Sequence, residues 1–181
     1  GISHRWIPGS SKTISFTNGD EHLEDGSLTE DSEPSKKMLQ KRLKKLDAVL
    51  LDLPDPEIYQ FEKSQNPDTK IIKVKNLKKY KVGIIGFGST KNPVLDALDN
   101  LQNSEIAYLH LDYIYPLKKQ KVVDFFNSCQ KTLLTEANQL GQLGQLIKLE
   151  TGLDFTDKLL KWDGRSFFVE EIIDKVNQLL A

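Results

Sequence analysis

Lys81–Thr90 reads KVGIIGFGST and is followed at once by Asn92-Pro93. The apolar run Val82–Ile85 has the length and β-branched content of a buried strand. Gly86-Phe87-Gly88 then supplies a tight turn, and a proline two residues past Lys91 suits the first turn of a helix. A second landmark, Glu136–Leu143 (EANQLGQL), repeats the arrangement: an apolar run, a polar turn with Gly141, then a helical pattern. Val82–Gly86, Ile106–Leu111 and Thr132–Thr135 lie about 25 residues apart, which suits strands joined by crossover helices. Ile71–Val74 and Leu159–Trp162 offer further strands, the first at an edge. Helical spacing recurs at Val94, Leu95, Leu98 and Leu101, at Val122, Val123 and Phe126, and from about Leu140 through Leu143 and Ile147. The closing segment, with Val169, Ile172, Ile173, Val176 and Leu180, is strongly amphipathic. Strands alternating with helices predict an α/β fold, a mostly parallel sheet covered on both faces.

Upstream the pattern differs. Residues 1–35 are polar, with a short apolar run at Thr13–Thr17, and read as an extended arm. The opening GISHRWIPG lacks an initiator Met and reads as sequence from inside a longer protein. Asp31-Ser32 offers a helix cap ahead of Pro34. From there Met38, Leu39, Leu43, Leu46, Val49 and Leu50 mark one apolar face, and Pro54 and Pro56 stop the helix. Residues 36–66 are thus a helix and polar link, and 67–181 the α/β domain.

With 181 residues the chain is long enough to bury a core without disulfides or metals. A net charge of −1 gives no field to recruit nucleic acid or an acidic membrane. Cys129, alone and within an apolar helical pattern, argues against a zinc site or disulfide framework. No membrane-length apolar run and no signal-peptide core occur, so a cytoplasmic location is expected.

Gly86, Gly88, Ser89 and Thr90 are the candidate binding residues. They fall where a parallel strand ends, the place at which open α/β sheets take ligands, and free N–H groups at a helix start favour anions. The dinucleotide fingerprint wants a small residue three places after its second glycine, where Lys91 stands; Asp112 could stand for the ribose-binding acid. On this reading the chain would be a free-standing nucleotide- or anion-binding domain using the Gly86–Thr90 turn; a purely structural turn is the other alternative. Asp20–Gly26 fails as a calcium loop, because Leu23 and Ser32 fill ligand positions; Asp20, His22 and Glu24 leave a looser site or a solvated loop. The Lys and Arg residues at 36, 37, 41, 42, 44 and 45 share a helix with an apolar face and read as a solvated face or one that meets an acidic partner. His110, inside an apolar strand, reads as a packed histidine. Glu136, closing a buried strand beside Asn138, needs partners and orients a turn or crosses an interface. No catalytic residue and no metal ligand is assigned to this chain.

Several stretches together carry a resemblance. They are Asn18–His22 with Gly26 and Thr29–Asp31, Met38 with Lys41–Leu46, Gly86–Thr90, Leu109–Leu111, and Tyr115–Leu117. Glu136, Asn138, Gly141–Leu143, Gly164, Phe167 and Glu170–Ile172 complete the set. In order and spacing the chain resembles the C-terminal region of the α subunit of 2-oxoacid:ferredoxin oxidoreductases, of pyruvate or 2-oxoglutarate type. The resemblance implies a three-layer α/β/α sandwich around a mostly parallel five-stranded sheet, like the domain at the C-terminus of transketolase. It implies a parent complex that uses thiamine diphosphate, magnesium, iron–sulfur clusters and coenzyme A, and passes electrons to ferredoxin. The family's Tyr-Pro-Ile-Thr-Pro motif, its thiamine motif and its cluster cysteines are absent, and Ser166 stands where a proline is expected. The resemblance therefore implies an inactive interface domain, with no cofactor of its own beyond a possible anion or coenzyme A contact at Gly86–Thr90. Its partners would be the thiamine- and iron–sulfur-binding subunits, and residues 1–35 would be the linker from a missing upstream domain.

Overall fold

The computed structural model describes residues 7, 9–10, 19–63 and 71–181; the Thr13–Thr17 run and the polar stretch at 64–70 lie outside these. The chain divides into two units, Gly1–Leu53 and Pro54–Ala181. In the first, helix α1 (Ser32–Asp52) follows a turn in which His22 bridges Leu28, and the Arg42 guanidinium meets Glu21 at 2.7 Å.

The second unit is the sandwich. Its strands are β1 (Glu57–Phe61), β2 (Ile71–Lys73), β3 (Tyr80–Phe87), β4 (Ile106–Leu111), β5 (Cys129–Glu136) and β6 (Asp157–Leu160). The order across the sheet is β2-β1-β4-β3-β5-β6. β4, β3, β5 and β6 run parallel, with Gly86 opposite His110 and Ile84 opposite Leu133. β1 runs antiparallel to both β2 and β4. The sheet therefore has six strands where the sequence implies five. The added strand, EIYQF, lies in the stretch read as link: two prolines precede it, and five residues with two polar ones give little period-2 signal.

Alternation along the strands divides the core into two layers. On one face Val82, Ile84, Ile106, Tyr108 and Leu133 meet α2 (Lys91–Leu101) and α5 (Val169–Leu180). On the other Ile85, Leu109 and Leu134 meet α3 (Lys119–Ser128) and α4 (Gln142–Thr151). β4 is buried along its whole length, as a strand covered on both faces must be. Cys129 packs at the rim of the second layer, and burial pushes its thiol up to about 11, which suits an inert structural thiol. No helix among the described residues is long and apolar enough to cross a membrane.

Candidate functional site

All four parallel strands deliver their C-terminal ends to one edge, and the loops there carry the candidate residues. The turn after β3 is a single 3-10 turn, Gly88–Thr90, running straight into α2. Gly86 lies within β3, at its closest approach to the neighbouring chain. A Cβ there would stand 2.6 Å from the Thr90 hydroxyl and 2.9 Å from the Thr135 carbonyl oxygen. Its glycine is demanded by packing. Gly88 has φ +58° with nothing near its missing Cβ, so a backbone conformation fixes that residue. Thr90 is buried, and its hydroxyl donates to the Phe87 carbonyl at 2.9 Å. Of the four residues singled out, Gly88 and Ser89 face solvent, while Gly86 and Thr90 are buried.

Beneath this turn runs a polar thread. The Tyr108 phenol lies 3.4 Å from the Thr90 hydroxyl and 2.7 Å from His110 Nδ1; His110 Nε2 faces Asp112 at 3.5 Å. With a neutral imidazole, Nδ1 accepts from Tyr108 and Nε2 carries its proton toward Asp112. Burial, and then the nearby Lys91 cation, hold His110 below its ordinary value, and burial pushes the Tyr108 phenol up. Lys91, which fills the small-residue place of the dinucleotide fingerprint, is spent on Glu57 at 2.6 Å and lies over the Tyr59 ring. Glu57 also binds Lys73 and Tyr59, and these partners, with Lys73 first, hold its carboxyl at about 2. Every titratable group of the thread is thus already partnered within the fold.

The turn after β5 is built differently. Glu136 is 1% exposed, and both its oxygens accept from the Leu143 N–H at 3.0 Å, at the start of α4. Asn138 donates to the same carboxylate, while its own oxygen accepts from Gly141 N at 2.6 Å and Leu140 N at 3.0 Å. A buried carboxylate is tolerable here because the Leu143 N–H and the Asn138 side-chain amide both donate to it. Glu136 orients the turn, the first of the two roles its position offered.

After β6 the chain passes Lys161, whose ammonium is buried and meets both Glu171 oxygens at 2.8 and 2.9 Å. Glu171 in turn accepts from Phe168 N, closing the first turn of α5. Between the β3, β5 and β6 loops lies a cleft of about 530 Å³, bordered by Ser89, Asn138, Gln139, Trp162, Arg165 and Ser166 among others. Trp162, which the sequence reads as the end of a strand, instead lies in the loop after β6, and Arg165 belongs to no motif that singles it out. Asp20, His22 and Glu24 do not converge: no group of three His, Cys, Asp or Glu side chains among the described residues is placed to hold a metal ion.

No family model matches the chain. Curated relatives do. Over 97% of its length it is 30% identical to the α subunit of 2-oxoacid:ferredoxin oxidoreductase 1 of Aeropyrum pernix. It is 32% identical, over the same share, to the corresponding α subunit of Saccharolobus solfataricus. In both cases the match covers 26% of the relative. The fold matches a solved 2-oxoglutarate:ferredoxin oxidoreductase from Magnetococcus marinus with a TM-score of 0.74 at 24% identity, covering 96% of this chain and 28% of that one. Nearly the whole chain is thus similar to the α subunit of 2-oxoacid:ferredoxin oxidoreductases, and it spans about a quarter of that subunit's length.

Proposed function

We propose that this chain is a non-catalytic interface domain of a 2-oxoacid:ferredoxin oxidoreductase α subunit. The parent complex, placed in the cytoplasm, decarboxylates a 2-oxoacid such as pyruvate or 2-oxoglutarate on thiamine diphosphate. It passes the electrons through iron–sulfur clusters to ferredoxin and transfers the acyl group to coenzyme A. The observation that carries this reading is similarity to α subunits along 97% of the chain. The chemistry of its residues agrees, since the titratable groups at the strand ends serve the fold.

The donor set does not fit an iron–sulfur cluster: one cysteine is present, with its thiol held protonated by burial. Thiamine diphosphate, magnesium and the clusters therefore belong, in this reading, to the partner subunits. For coenzyme A, the contact first assigned to Gly86, Gly88, Ser89 and Thr90 narrows to the Gly88 backbone and the Ser89 hydroxyl, because Gly86 and Thr90 are consumed by packing.

The test is reconstitution. The chain alone, given 2-oxoacid, coenzyme A, thiamine diphosphate, magnesium and a viologen acceptor, is expected to form no acyl-CoA. Adding it to complementary subunits that lack it should restore turnover. Activity from the chain alone would overturn the reading.

A further inference from the structure

The large apolar side chains that the second unit leaves in solvent are not scattered. Among the described residues from Pro54 on, Tyr113, Ile114, Tyr115, Leu140, Trp162 and Phe168 are 36% to 63% exposed. All six lie in the loops that follow β4, β5 and β6; Leu77 and Leu149 are the other two exposed ones. Because these strands are parallel, their loops share one edge, with β3 and the cleft in the middle. From β4 to β6 is three strand spacings, about 14 Å.

The opposite edge of the same sheet is mostly charged, with Leu77 its exposed large apolar side chain in the loop before β3. There Lys75, Lys78 and Lys79 stand exposed, Lys81 pairs with Glu105 at 2.7 Å, and Lys148 pairs with Asp154 at 2.6 Å. Single exposed apolar residues need no explanation, but large exposed apolar side chains gathered on one edge around a polar cleft point to an interaction surface. Tyrosine, tryptophan and arginine are the residues that interfaces favour at their centres. Arg165, at the cleft, makes no ion pair among the described residues, whereas the neighbouring Lys161 is neutralised by Glu171.

We infer that this C-terminal edge is the docking face for the rest of an oxidoreductase α subunit, through an apolar surface with a carboxylate set opposite Arg165. The inference rests on the proposed function. Since the matched segment is 26% of each relative, about three quarters of such a subunit lies outside it and is available to cover the edge. The unpaired guanidinium dictates the sign of the partner's charge at the cleft. The aromatic side chains supply the apolar area of the surrounding contact.

The test uses the native complex. A photoreactive benzoylphenylalanine is placed in turn at Tyr115, at Trp162 and, off the edge, at Leu77 and Leu149, and cross-linked peptides are identified by mass spectrometry. Tyr115 and Trp162 should link to α-subunit segments outside this chain's span at least ten-fold more than Leu77 and Leu149. Arg165→Glu should lower the Trp162 yield several-fold, with the Tm of the isolated chain unchanged. Strong links from Leu77 or Leu149 alone, in a complex that still holds thiamine diphosphate and iron, would overturn the docking face and leave the proposed function standing. Links confined to this chain or a second copy of it would overturn the face in favour of self-contact. A particle without other subunits would overturn both.

Discussion

The turns that end β3 and β5 look alike in sequence, each an apolar strand running into glycine and a helix, yet they are held by opposite means. At Gly86-Phe87-Gly88 the backbone itself is the structure: the chain approaches Thr90 and Thr135 so closely that no side chain fits at Gly86. At Glu136-Ala137-Asn138 two side chains do the work, gathering the N–H groups of Leu140, Gly141 and Leu143. The first turn is fixed by close packing of its backbone, the second by a buried carboxylate and an amide that collect donors. A glycine motif at a strand end is therefore not in itself a ligand cradle; what decides is whether its donors remain free.

The sharpest way to break this comparison is at the second turn. Glu136→Ala orphans the buried Leu143 N–H and takes away the partner of the part-buried Asn138 amide. At about 1–3 kcal/mol for each buried group left unpaired, it should cost about 3 kcal/mol in urea unfolding. Glu136→Gln, which keeps an acceptor and loses only the charge, should cost less than the alanine variant but still weaken the fold; a Gln variant as stable as wild type would mean that the charge is irrelevant. Next comes Gly86→Ala, expected to cost about 2 kcal/mol through overpacking. Adding Thr90→Ala should recover part of that and no more, because the Thr135 carbonyl is backbone and cannot withdraw. Full recovery would show the close approach to be soft.

His110 sharpens the comparison through pH. Burial, with Lys91 next, holds its folded value below the ordinary 6.5, against the opposing pull of Asp112 and Glu57. The unfolded chain then binds the proton more readily, so stability rises with pH across this window. What His110 contributes is present above about 6.5 and is lost as pH falls from there toward its lower folded value. Unfolding at pH 7.5 and 5.5 should show a weaker fold at the lower pH, and His110→Gln should shrink that difference. Glu57, held at about 2, loses its contribution only between about 4.5 and 2 and does not mask the effect. The smallest change belongs to Ser89→Ala, within about 0.5 kcal/mol of wild type, since the hydroxyl touches nothing the fold depends on.

Much of this was legible in the residues. Strand–turn–helix alternation placed β3, β4 and β5 and their covering helices, because strands buried on both faces write long apolar runs such as Ile106–Leu111. β1 was missed for the converse reason: a five-residue antiparallel strand behind Pro54 and Pro56 carries too little pattern to outweigh its prolines. His110 and Glu136 were placed correctly because a polar residue in an apolar run must find partners. The role of Gly86 was not legible. Its neighbours Thr135 and Tyr108 come from strands 20 to 50 positions away, and close approach leaves no mark along the chain. The meeting of Trp162 and Arg165 at the cleft was invisible for another reason, since exposed loop residues acquire meaning only when the sheet gathers them on one edge.

The most direct test of the central claim, that this chain works as part of an oxidoreductase, is its native mass and cofactor content. The chain would be isolated under gentle conditions from its own cells, weighed, and assayed for thiamine diphosphate, iron and acid-labile sulfide. A particle several times the 20.6 kDa of this chain, containing all three, is the expected result. A particle made of this chain alone, with none of them, would contradict it.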